Sequence, residues 1–170
     1  MRGAVLHAPR DVRFEERDDP TIMKPADAII RISATCVCGS DLWPYRGADR
    51  VTEPTPLGHE YCGTVQEVGS EVFSIKPGQF VQHAEFVGGA QASLLRVPLA
   101  DGTLVATPGV PSEDLIPSLL SLSDVMGTAW FAAHAASVKP GSTSRSSVTA
   151  RSASSVSSPP SRWAPSGSSR

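Results

Sequence analysis

Cysteine is scarce in this chain: three residues among 170, an odd number with no scaffold spacing. That excludes a disulfide framework and points to a reduced, cytoplasmic setting. No stretch of about 18 apolar residues occurs, so no segment reads as membrane-spanning. The opening MRGAVLHAP lacks the apolar core of a secretion signal. Net charge is only −2, so the overall balance makes no case for a nucleic-acid partner. The last 29 residues lack the most. Residues 142–170 contain no Leu, Ile, Phe, Asp, Glu or Lys, while 13 of them are Ser and four are Arg. Such a segment has too little apolar surface to offset chain entropy, and it is expected to be a disordered tail.

Residues 1–141 have a different character and are expected to form one domain. Apolar residues make up 40% of the chain, enough for a core. Gly3–His7 is a short apolar run. Ala28–Thr35 alternates with period two, setting Ile30, Ile32 and Ala34 on one face and Arg31, Ser33 and Thr35 on the other. Gly63–Val72 reads as a strand ending near Gly69, and Lys76-Pro77-Gly78 as a turn leading into Phe80-Val81. Gln91–Pro98 reads as a further strand, and Asp101-Gly102 as a tight turn. Short strands with frequent Gly and Pro predict a mainly β, barrel-like domain. Ser112-Glu113-Asp114 offers a helix N-cap with acids in the first turn. Two helical segments are expected over residues 112–136, with a break around Ser121–Asp124 and Trp130 packing in the second.

A thiol, an imidazole and a carboxylate stand between glycines at Cys38-Gly39-Ser40-Asp41 and Gly58-His59-Glu60. Zinc takes sulfur, nitrogen and carboxylate ligands, and glycines let such side chains converge. One Cys and one His at this separation form a weak signal, because most such pairs are a buried thiol and a satisfied imidazole. The longer pattern is far more specific. Gly58-His59-Glu60 followed by Gly63, Gly69 and Val72 matches G-H-E-x-x-G-x5-G-x2-V. With the Cys38 loop before it, the chain resembles the zinc-dependent alcohol dehydrogenases of the medium-chain dehydrogenase/reductase superfamily. The resemblance covers about residues 1–143, including the Val138-Lys139-Pro140-Gly141 turn.

That resemblance implies a mainly β, GroES-like, partly open barrel with a few helices. It implies Cys38 and His59 as catalytic-zinc ligands, with Asp124, in Ser123-Asp124-Val125-Met126-Gly127-Thr128, as the third. Glu60 is expected beside the metal or swinging onto it during turnover, Ser40 as the hydroxyl that relays the substrate proton, and Asp41 as a loop-holding residue. The implied cofactors are Zn2+ and NAD(P), the substrate is an alcohol or aldehyde, and family members are homo-oligomers. Cys36 and Cys62 are read as core thiols, and His7, His83 and His134 as ordinary residues. Trp43 and Tyr45 either line a substrate pocket or pack locally.

Two departures qualify the expectation. Gln82-His83-Ala84 joins Val81 to Glu85 where many relatives carry a four-cysteine structural-zinc lobe, and three cysteines cannot build one. After Gly141 there is no Gly-x-Gly-x-x-Gly, so the Rossmann domain is expected to be absent. Read one base earlier with GC-rich codons, the tail from Ser144 translates into an apolar strand, a Gly-Asp-Gly-Ala-Val-Gly loop and an Ala-rich helix start, which suggests a frameshift. The chain alone is therefore expected to show little or no dehydrogenase turnover. The alternative is a non-enzymatic GroES-like zinc-binding or interaction module, which needs no relay hydroxyl such as Ser40.

Overall fold

Short runs of β-branched residues, punctuated by Gly and Pro, become eight strands in the computed structural model, which describes residues 1–84 and 88–143. Contacts divide the chain into two units, Met1–Ser123 and Asp124–Arg170. In the first, β1 (Arg2–Ala8) pairs antiparallel with β2 (Asp11–Glu16) and with β4 (Thr55–Pro56), giving a three-stranded sheet. A five-stranded sheet runs in the order β7 (Leu94–Val97), β3 (Ala28–Thr35), β5 (Glu60–Val68), β6 (Phe80–Ala84), β8 (Val105–Ala106), every pair antiparallel. Among the described residues an isolated bridge pairs Gly3 of β1 with Ala92, two residues before β7. Both sheets stay open, as a GroES-like, partly open barrel requires. No Rossmann unit occurs among the described residues.

The core lies against the five-stranded sheet. Ala28, Ile30, Tyr61, Val65, Val81, Leu95 and Val97 form one buried cluster, with Ile75, Ala90, Ala100 and Leu104 from the connections. β3 is the best-supported strand because β5 and β7 cover both its edges, and its Ile29 and Ile30 are buried. Its register against β5 shifts at Ile29/Ile30 and again at Ile32/Ala34. Such bulges bend a strand, and the second precedes the Cys38 loop.

α1 (Leu42–Arg46) follows that loop, and α2 (Ala100–Thr103) follows β7. A 3-10 turn at Glu113–Leu115 runs into α3 (Ile116–Leu120), which packs on β3, β5 and β6. In the second unit α4 spans Val125–Ala135. No single helix among the described residues is long and apolar enough to cross a membrane.

Several elements differ from the sequence reading. β2 was not expected, although Val12 and Phe14 alternate with Asp11, Arg13 and Glu15; both apolar residues are exposed, and pairing with β1 defines the strand. The signature strand begins at Glu60, because Glu60 pairs with Ala84 and Tyr61 with Thr35. It ends at Val68, where the Gly69 amide turns to donate to the Asp27 carbonyl at 2.8 Å. β7 covers only Leu94–Val97 of the expected Gln91–Pro98. Asp101-Gly102 is not a tight turn but part of the single helical turn α2, closed by the Leu104 amide on the Ala100 carbonyl at 2.9 Å. The Asp101 carboxylate accepts instead from the Phe73 and Ser74 amides, at 2.8 and 2.9 Å, and so pins a neighbouring loop. Ser112 does occupy the N-cap position, without a side-chain cap bond. The helical break falls at residues 121–124 as expected, but Trp130 on α4 is more than half exposed. The expectations for residues 144–170, including disorder and the shifted frame, lie outside the described residues.

Candidate metal centre

The Cys38 loop is a compact turn built by its own polar groups. The Asp41 carboxylate Oδ2 accepts from the Cys38 amide at 2.9 Å, and the Asp41 amide returns a bond to the Cys38 carbonyl at 3.2 Å. Amides of Leu42 and Trp43 then donate to Gly39 and Ser40 and start α1. This reciprocal arrangement holds the backbone at Cys38, three residues past the end of β3.

His59 and Glu60 enter at the start of β5. Gly58 immediately before them has φ +88, a left-handed conformation that L side chains adopt only with strain. Asp41 then acts a second time: its Oδ1 lies 3.2 Å from His59 Nδ1, both side chains being largely buried. A carboxylate there holds the proton on Nδ1 and leaves the lone pair on Nε2, the tautomer that binds a metal. His59 Nε2 faces Ser40 Oγ at 3.4 Å and Glu60 Oε1 at 3.9 Å.

Glu60 is buried, yet it is surrounded by polar groups. The Ser123 hydroxyl approaches its Oε2 at 3.5 Å, and the Cys36 thiol contacts the same carboxylate. Burial, reinforced by the Glu60 contact and by the charges of Glu60, Cys38 and Asp41, pushes the Cys36 thiol up to about 12. Cys36 thus stays protonated as a donor to Glu60. Cys62 is buried in β5, and burial raises its thiol as well. His7 pairs with Glu15 at 3.0 Å, and His83, lowered by burial, sits edge-on to Tyr61.

The ligand atoms of Cys38, His59 and Glu60 all lie within 4.8 Å of one another. One sulfur, one imidazole nitrogen and one carboxylate at that spacing fit a zinc ion, which accepts all three donor types around a tetrahedron of short bonds. The fold thus brings together Cys38, His59, Glu60 and Ser40 of the expected set. Asp124 lies in the second unit, at the N-cap of α4. Trp43 and Tyr45 stand on α1, both exposed. The sequence reading missed the roles of Cys36 and Ser123 beside Glu60. Cys36 gave only its closeness to Cys38 as a signal and Ser123 only its place beside Asp124, since both sit in connections whose path decides what faces Glu60.

The motif's remaining positions are architectural. A Cβ on Gly63 would overlap the Arg31 carbonyl oxygen of β3, so β5 reaches its partner only without a side chain there. Val72 packs on the core cluster.

A family model, alcohol dehydrogenase GroES-like domain, matches residues 24–113. Zinc-type alcohol dehydrogenase B of Aspergillus flavus is 34% identical over 161 residues, covering 78% of this chain and 37% of that protein. A probable zinc-binding alcohol dehydrogenase of Mycobacterium tuberculosis is 32% identical over 171 residues, covering 84% of this chain and 44% of the relative. Among solved structures, the alcohol dehydrogenase TADH from Thermus sp. ATN1 superposes with a TM-score of 0.75 at 27% identity, over 83% of this chain and 49% of that one. The chain thus spans less than half the length of these relatives. The first alignment runs over 161 residues yet uses only 78% of a 170-residue chain, so the relative carries residues inside the matched span that have no counterpart here.

Proposed function

The chain belongs to the alcohol dehydrogenase GroES-like domain family, and from that premise we propose that it is the metal-binding portion of a zinc-dependent, NAD(P)-linked alcohol dehydrogenase-type oxidoreductase. Cys38 and His59 hold the zinc, Glu60 lies against it, and Asp124 is the third protein ligand on its sequence position alone. The observation that carries this reading is the convergence of Cys38, His59 and Glu60 ligand atoms within 4.8 Å, with Asp41 orienting the imidazole. Zinc, when bound, supplies a Lewis acid that lowers the pKa of an alcohol hydroxyl.

The chain's own residues prepare that chemistry. Asp41 holds the His59 tautomer and the Cys38 backbone at once. Ser40, whose Oγ lies 3.4 Å from His59 Nε2, takes the substrate proton in this reading and passes it outward, a role that a bare binding module would not need. The buried Glu60 carboxyl lies next to His59, beside the Cys36 thiol and the Ser123 hydroxyl. The substrate is an alcohol or aldehyde and the hydride acceptor is NAD(P). The three free thiols fit a reduced, cytoplasmic setting.

Loading this chain with cobalt(II) or zinc tests the proposal. One metal per chain is expected, with a thiolate-to-cobalt absorption band that disappears in Cys38→Ser. Incubated with zinc, NAD and short alcohols, the 170-residue chain is expected to show little turnover. Absence of metal binding, or binding indifferent to Cys38→Ser, would overturn the assignment.

A further inference from the structure

A short segment at Gly88–Ala92 lies against the loop that carries His59. The Gly89 and Ala90 amides both donate to the Gly58 carbonyl, at 3.0 and 3.1 Å. The Gln91 amide donates to the Leu57 carbonyl at 3.0 Å, and the Gln91 carbonyl accepts from the Ala4 amide at 2.8 Å. The Gln91 side chain adds a contact of a different kind. Its stem fills the space where Gly58 lacks a side chain, since a Cβ there would sit 2.5 Å from Gln91 Cγ. Its Nε2 then donates to the Cys36 carbonyl at 3.3 Å, in part-buried surroundings. Leu57 stands two residues before His59, and Cys36 two residues before Cys38.

One residue therefore bonds to both chain segments that deliver the metal's sulfur and nitrogen. The same segments are also joined by the β3–β5 pairing up to Thr35 and Tyr61, by the Thr35 hydroxyl donating to the Glu60 carbonyl at 2.9 Å, and by side chains of the site itself, Cys36 on Glu60 and Asp41 and Ser40 on His59. We propose that Gln91 is a positioning residue that ties the Cys38 and His59 loops into a single metal-binding geometry. The proposal rests on the zinc assignment above. A ligand pair whose separation is set before the metal arrives loses less loop freedom on binding, so the amide raises affinity without touching the ion.

Gln91→Met tests this, because it keeps the stem under Gly58 and every backbone bond but removes the amide donor. Gln91→Leu serves as a second uncharged variant that keeps an apolar stem and also lacks the donor. Cobalt(II) affinity and the ligand-field spectrum of the full chain are measured together with the urea midpoint of the metal-free protein. The expected result is a metal-free midpoint lowered by no more than one neutral hydrogen bond, so that the chain stays folded throughout the titration, a cobalt dissociation constant raised roughly two- to tenfold, and an altered ligand-field spectrum. Wild-type affinity and spectrum in both variants would overturn the proposal while leaving the zinc site standing. So would a fall in metal-free stability large enough to account for the lost affinity, because Gln91 would then only hold the fold. A wild-type chain that binds no cobalt would overturn the zinc assignment itself.

Discussion

Replacing Gly63 by alanine sets two physical effects against each other, and the structure says which wins. Alanine narrows the unfolded ensemble and suits a strand better than glycine, which by itself stabilises by about 0.5–1 kcal/mol. At Gly63, however, the new Cβ would overlap the Arg31 carbonyl oxygen and crowd the Ile32 Cα. Both obstacles are backbone atoms of β3, which is held between β5 and β7, so neither can rotate aside. Forcing a methyl into such a site costs about 1–3 kcal/mol and strains adjoining ladder bonds besides, so a net loss of about 1–2 kcal/mol is expected. Gly102→Ala is the matched control. Gly102 lies in α2 with nothing within 4 Å of its would-be Cβ, and alanine there is expected to stabilise by up to about 1 kcal/mol. Urea unfolding followed by tryptophan fluorescence and far-UV circular dichroism measures both. Opposite signs of the midpoint shift are the expected result. A Gly63→Ala protein as stable as wild type would refute the reading of this motif glycine as a close-approach position.

Two further outcomes follow from the polar groups. Asp41→Asn leaves an acceptor for the Cys38 amide but removes the charge that holds the proton on His59 Nδ1, and metal affinity is expected to fall about 10- to 100-fold in a cobalt titration; undiminished affinity would show that Asp41 does not orient the ring. Burial alone would push the Asp27 carboxyl up. The Lys24 amide, the Arg96 guanidinium and the Met23 amide outweigh it and hold the carboxyl below its ordinary 3.8. A depressed folded value means that Asp27 stabilises the fold fully above the unfolded pKa and loses that contribution as pH falls through the folded one. Asp27→Asn is therefore expected to cost about 1.5–3 kcal/mol at pH 7 and to flatten the acid limb of the urea midpoint against pH. An equally steep acid limb in the variant would place that sensitivity elsewhere.

Strand β3 was legible from residues 28–35 because alternation of Ile with polar residues is a local signal. The helical break at residues 121–124 was legible for a similar reason, since Ser and Asp cluster between apolar runs. β2 was missed although Val12 and Phe14 alternate with charged residues, because so short and exposed a run takes its strand identity from pairing with β1. Asp101-Gly102 misled because turn-forming residues also begin a single helical turn, and the choice depends on what Asp101 binds.

The sequence by itself determined the family and the chemical character of the site. Cys38, His59, Glu60 and Ser40 are chemistry-bearing residues at fixed spacings from glycines, and both spacing and residue type are written in the chain. Only the tertiary structure decided how those residues act together. It set the Asp41 carboxylate on both Cys38 and His59, and turned Cys36 and Ser123 onto Glu60. It also laid Gln91 across the two loops. Each of these depends on strand register and loop closure between residues far apart in sequence, and no local pattern encodes which distant backbone carbonyl a side-chain amide will meet.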